Sequence, residues 1–247
     1  SGTPVKGAFT WDVNLNFTRN RNTVLELTDG LTSFMMGSAE GVQYEVREGA
    51  QMGDFYARTW ATVPDGEFKG QPLLDSDGSY QRLNEYKKIG NYNPDFMLGI
   101  NNSFTFKNFT LNALIDWRQG GEFYSYVAKN LLSDGRTTTT VPGRDPQTGG
   151  LAWTDDANRQ RTDGMILHGY IDDGNGKYVL NDKPTDPENY YGNYYWDFNA
   201  RSTFDASFVK LREISLTYLL AQKALGRLPI SNVSFALIAR NLLTWTA

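Results

Sequence analysis

The sequence predicts an all-β protein: a segment of an antiparallel transmembrane β-barrel, with about five long strands and two long loops. Three observations predict it. Apolar and polar residues alternate almost without error over stretches of ten or so residues, connections alternate between long and short, and aromatics gather at the ends of the alternating stretches. Successive side chains on a strand point to opposite faces, so a period of two over that length places two different solvents on the two faces. A strand of ~9–11 residues tilted by roughly 45° is what crosses a hydrocarbon core in a membrane barrel.

The first strand, about 8–18, carries Phe9, Trp11, Val13, Leu15 and Phe17 on one face and Thr10, Asp12, Asn14, Asn16 and Thr18 on the other. Ser1-Gly2-Thr3-Pro4 before it reads as a loop entered midway, so a fragment or processed piece is expected. Arg19-Asn20-Arg21-Asn22 breaks the strand, and a region with Asp-Gly punctuation follows, holding short strand candidates at Val42–Val46 and Phe55–Ala61. A hairpin comes next. Phe96, Leu98, Ile100, Phe104 and Phe106 alternate with polar residues, and Phe109, Leu111, Ala113, Ile115 and Trp117 do the same after a Lys107-Asn108 turn. Asn108 is expected to accept the positive φ that such two-residue turns require. Within the second long connection, Met165 to Leu180 reads as a small surface hairpin around Asp172-Asp173-Gly174-Asn175-Gly176.

A fourth strand spans about 204–218. Val209 and Leu211 have odd numbers, whereas Ile214, Leu216 and Tyr218 have even ones, so a bulge is expected near Leu211–Glu213. A possible short helix in 219–231 leads to a fifth strand at about 232–245. Barrels of the outer membrane have short periplasmic turns and long extracellular loops. Extracellular loops are therefore expected at about 19–94 and 120–203, with the first, third and fifth strands running outward. Phe9, Trp11, Phe104, Phe106, Phe109 and Tyr218 then fall at the inner interface, and Phe96, Trp117 and Trp245 at the outer one.

Composition agrees. A mean hydropathy of -0.50 resembles that of a soluble protein, but barrel walls conceal their lipid face because alternate residues line a wet lumen. No apolar run approaches the ~18 residues a spanning helix needs. A net charge of -4 without a basic block leaves no electrostatic footprint for nucleic acid. Without cysteine, thiol catalysis, disulfides and cysteine zinc sites are excluded; with one histidine, His168, so are triads and multi-histidine sites.

Several segments together carry a family resemblance. Gly90-Asn91-Tyr92-Asn93-Pro94-Asp95-Phe96, the Phe106-Lys107-Asn108-Phe109 hairpin, Asp116-Trp117-Arg118-Gln119-Gly120-Gly121, Ser207 to Tyr218 and Ala239-Arg240-Asn241-Leu242-Leu243-Thr244-Trp245 resemble the SusC/RagA-type TonB-dependent outer-membrane transporters. The resemblance covers nearly the whole chain. It implies the C-terminal part of a barrel of about 22 strands closed by a plug, with the plug domain, TonB box and final strand absent from this sequence. It further implies import of oligosaccharides or peptides, energy delivered by TonB through the missing N-terminal part, a SusD-like surface lipoprotein as partner, and no cofactor.

Candidate contact residues divide into two groups. The loop cluster Tyr190, Tyr191, Tyr194, Tyr195, Trp196 and Phe198 offers rings for substrate or for the lipoprotein, or else packs its own loop. Asp12, Asn14, Asn16, Asn101, Asn112, Asp116 and Arg118 are expected to face the lumen, as ligand contacts or as a merely solvated wall. Asp75, Asp77, Asp172, Asp173 and Asn175 are spaced like oxygen ligands of calcium loops, but without the closing bidentate Glu they read as turn formers. The 28 acidic residues make a chance carboxylate pair common, and no motif singles out an enzyme. The alternative to a transporter segment is a soluble β-rich carbohydrate-binding module whose apolar stripes pack sheet on sheet.

Overall fold

The computed structural model describes every residue except 195–197, 222, 224, 225 and 227–231, with Tyr194 described by its backbone alone. The chain forms two compact units: residues 1–22, 92–122 and 205–247, and residues 23–91 and 123–204.

The first unit is one six-stranded antiparallel sheet that is not closed on itself. Its strands lie in chain order: Gly2–Val5, Phe9–Thr18, Phe96–Phe106, Phe109–Gln119, Phe208–Leu219 and Ser234–Thr246. Five are the expected long strands. The sixth corrects the reading of the N-terminal residues as loop: Gly2 and Val5 pair with Val13 and Trp11 across a register shift. Pro4 falls within that register shift, where the irregular pairing does not need its N–H. The fourth expected strand begins later than expected. Thr203–Asp205 is a separate short strand, ended where the Asp205 carboxylate accepts the Ser207 N–H at 2.7 Å. The possible helix in 219–231 falls largely outside the described residues.

The bulge lies where parity placed it. Register shifts between Leu211 and Glu213 against both neighbouring strands: Arg212 is the extra residue against Phe109–Gln119, while Asn241 and Leu242 stand against it in Ser234–Thr246. The Lys107-Asn108 turn forms as expected, but the positive φ, 53°, belongs to Lys107. Asn108 is occupied otherwise, its side chain donating to the Leu219 carbonyl at 2.8 Å and stitching the turn to the next strand end.

The second unit is more structured than a pair of loops. A four-stranded sheet runs Ser33–Ala39, Val42–Arg47, Asp54–Trp60, Arg82–Asn91, and buries Val42, Phe55 and Ala57. Two three-stranded sheets accompany it, one of them pairing Tyr170–Asp172 in parallel with Leu73–Leu74. Ile166 pairs with Pro184, so the small hairpin is confined to 170–180 and does not begin at Met165. A helix at Tyr126–Ser133, capped by the Ser125 hydroxyl, was hidden in the second connection. The second core contains Leu74 and Tyr80 from one long segment together with Leu167, Tyr190 and Phe198 from the other.

Candidate functional site

Residues directly opposite in neighbouring strands share a face, so the register sorts the six-stranded sheet into rungs. Thr10, Thr105, Thr110 and Thr217 form one polar rung. Asp12, Ser103, Asn112 and Ser215 form the next, then Asn14, Asn101, Leu114 and Glu213, then Asn16, Gly99, Asp116 and Lys210. Thr18, Met97, Arg118 and Phe208 complete the face. All seven residues expected to face the lumen thus lie on one side of the sheet.

Most charge on this face is compensated within the wall. Arg212, turned by the bulge, donates from Nε and Nη2 to Asp116 at 3.1 and 2.9 Å. Arg240 donates to Glu213 at 2.9 Å. Arg118 donates to the carbonyls of Tyr92 and Gly120, and Lys210 Nζ sits 4.0 Å from the centre of the Phe208 ring. Asp12 accepts from the Thr3 hydroxyl at 2.6 Å. Arg212, Glu213, Arg240 and Lys210 were not among the expected lumen residues. The predicted bulge was the available signal, because it moves the residues on its two sides between faces.

The opposite face is apolar and exposed: Phe17, Leu237 and Trp245 are 60 %, 76 % and 56 % exposed. Its aromatics form two bands. Phe9 and Trp11 stack on Phe104 and Phe109 contacts Tyr218 near the tight turn; Phe17 and Trp117 contact Phe96 at the other end. Asn102 is the polar exception. It stands opposite Val13 and Ala113, and its Oδ1 accepts the Trp11 Nε1–H at 3.1 Å. The indole thus satisfies an amide oxygen that the apolar face leaves unsolvated.

In the second unit the aromatic cluster separates. Tyr190 and Phe198 are 6 % and 1 % exposed, so a contact role for these two is replaced by packing. Phe198 lies edge-on to Trp60 and Tyr80. The Arg201 guanidinium rests over Trp60, Tyr80 and Tyr190 at 4.7, 5.1 and 5.7 Å, and donates to the Tyr190 hydroxyl. Burial pushes the Tyr190 hydroxyl up to about 12. Tyr195 and Trp196 lie outside the described residues, as does the Tyr194 side chain. Tyr191 stays half-buried and donates to the Thr139 carbonyl at 3.0 Å. It lines a cleft of about 490 Å³ with Asp134, Arg144, Asp163, Asp186 and Glu188. Arg161 binds both Asp163 and Asp186, and its guanidinium holds the Asp163 carboxyl below the usual carboxylate range.

The Asp-rich turns are turns. Asp173 Oδ1 accepts the N–H groups of Asn175 and Lys177, Asp172 accepts that of Gly174, and Asp77 accepts that of Ser79. His168 is exposed beside Tyr170.

No family model matches the chain. It is similar to TonB-dependent receptor P3 of Formosa agariphila, with 28 % identity over 96 % of this chain and 22 % of the relative. Its fold matches that of the RagAB peptide importer in its closed-closed state, at a TM-score of 0.58 and 20 % identity over 100 % of this chain and 25 % of the other. The open-open state of the importer gives 0.57 at 19 % identity. The chain therefore spans about a quarter or less of the length of the proteins it matches. Sequence and fold comparisons agree with the resemblance to SusC/RagA-type TonB-dependent transporters, and the six-stranded sheet is a portion of barrel wall.

Proposed function

We propose that this chain is part of an outer-membrane TonB-dependent transporter, importing oligosaccharides or peptides together with a SusD-like surface lipoprotein. The observation that carries the proposal is the two-faced sheet. Its five long strands, of 10–13 residues, have a polar, internally charge-paired face and an exposed apolar face banded at both ends by aromatics. In a bilayer the apolar face meets lipid, the bands sit at headgroup level, and the polar face lines the lumen. The sheet's free edges would pair with the rest of the wall, since open edges are not tolerated in hydrocarbon.

On this reading the segments at about 19–94 and 120–203 are extracellular, and Tyr191 with its cleft is the part of the aromatic cluster placed for substrate or lipoprotein. A plug and TonB contact belong to portions of the transporter outside this sequence. The protein acts by binding and passage, without an enzymatic step. The relatives' names, a receptor and a peptide importer, support this. Nothing observed favours the soluble carbohydrate-binding module, whose stripes would need to be covered by a second sheet.

Fractionation of the source cells tests the proposal. The expected result is a heat-modifiable outer-membrane polypeptide much heavier than the 27.8 kDa of this sequence. A soluble protein of that mass would overturn it.

A further inference from the structure

A glycine inside a strand ordinarily answers to a positive φ, a bulge, or the close approach of something to the backbone. Gly99 lies in the middle of strand Phe96–Phe106 and has no positive φ. Register passes through it unbroken on both sides, opposite Asn16 and opposite Asp116. A Cβ built there would meet nothing nearer than Asn16 at 3.9 Å, an ordinary contact. The described protein therefore has space for a side chain at a position where the sequence supplies none. Close approach of another molecule is the reason that remains.

What surrounds the gap points to the chemistry of that molecule. Asn16 stands opposite Gly99, and Asn14 and Asn101 face each other on the adjacent rung. Unlike the charged groups of this face, the side chains of these three amides make no hydrogen bond to another protein group among the described residues, and all three are exposed. Each amide has two N–H donors and an acceptor oxygen.

We propose that Gly99, Asn14, Asn16 and Asn101 form a notch in the lumen wall that binds a neutral saccharide. The proposal rests on the reading of the polar face as lumen. Neighbouring hydroxyls of a sugar ring each donate and accept, which matches a cluster of amides. The Asp116–Arg212 and Glu213–Arg240 pairs beside the notch are closed on themselves, so a polyanion gains little there. Leu114, opposite Asn101 and 39 % exposed, provides apolar surface for the C–H face of a ring. A peptide held in extended form needs pockets for alternate side chains; this notch is bordered by amides.

The test uses the full-length transporter in detergent, with neutral hexasaccharides of glucose, mannose and xylose as calorimetric probes. A hexauronate and a hexapeptide serve as controls. Expected is binding of at least one neutral probe, weakened about tenfold or more by Gly99→Val and by the Asn14→Ala/Asn101→Ala pair, as loss of two hydrogen bonds predicts. Heat-modifiability of each variant confirms that the barrel has formed. Absence of neutral binding, binding unchanged in both variants, or tighter binding of the hexauronate or hexapeptide at these residues would each overturn the notch. Failure of the wild-type protein to appear in the outer membrane would instead overturn the transporter reading.

Discussion

Arg212 and Asp116 form a pair across strands at a bulge: the guanidinium that reaches the carboxylate belongs to the one residue of its strand without a register partner in either neighbouring strand. The bulge has two consequences. It puts Arg212 and Glu213, consecutive in sequence, on the same polar face, and it lets Val209 and Leu211 share the apolar face with Ile214, Leu216 and Tyr218 despite their opposite parity.

Two mutants of the full-length protein test this. Arg212→Ala removes an exposed pair worth about 0–1 kcal/mol and leaves the barrel assembled. Deletion of Arg212 removes the extra residue, so Leu211 and Glu213 join the consecutive Ile115 and Leu114 and the apolar side chains of both halves keep their face. The heat-modifiable form is expected to persist in both variants. Its loss in the deletion would refute the assignment of Arg212 as the extra residue.

Trp11 and Asn102 constitute a second separable pair. Trp11→Phe leaves the amide unsatisfied on the apolar face, at a cost of about 1–3 kcal/mol, whereas Trp11→Phe with Asn102→Val removes both partners and costs far less. Urea titration of folded barrels measures both; additive losses in the double variant would contradict the assignment.

A charge distinguishes the faces. Ile115→Arg on the apolar face is expected to destabilise the barrel by about 2–4 kcal/mol, the value for a lipid-facing arginine near mid-bilayer, while Asn14→Arg leaves assembly unchanged. Spin labels at 115 and 14 provide an independent measure. A membrane-soluble relaxant should quench the first only.

The second unit should respond to alkali. Burial raises the hydroxyls of Tyr190 and Tyr124 to about 12 from the ordinary 10.0. Protonated in the folded state and ionised more readily in the unfolded one, they contribute stability that is complete below pH 10 and is lost as pH rises toward 12. Thermal unfolding followed between pH 9 and 12 is expected to show this decline, and Tyr190→Phe with Tyr124→Phe to flatten it. A decline of the same size in the double variant would assign it to other groups.

The wall was legible in the sequence because a single physical rule writes it. A strand with one apolar and one polar face must alternate, so Phe9–Thr18 and the 96–119 hairpin could be read residue by residue, and even the Arg212 bulge left a trace as a parity change. Lys107 was misread because turn propensity favours Asn at positive φ, whereas tertiary bonding of Asn108 to Leu219 decided which residue took it. The second unit was hardly legible. Strand Arg82–Asn91 has no alternation, and its place depends on contacts distant in sequence, including the Lys88–Asp54 ion pair at 2.6 Å. The burial of Tyr190 and Phe198 likewise depends on Leu74 and Tyr80, a hundred residues or so earlier, which no local pattern announces.

That shared core constrains how such a protein is made and varied. Leu74 and Tyr80 leave the ribosome before the 96–119 hairpin, and Leu167, Tyr190 and Phe198 after it. The earlier segment must wait, its apolar side chains uncovered, until the later one has been synthesised. Recombination is limited in the same way. A crossover within the hairpin would exchange one half of this core without its complement, so the two segments are expected to be inherited, or transplanted by an engineer, only as a matched set.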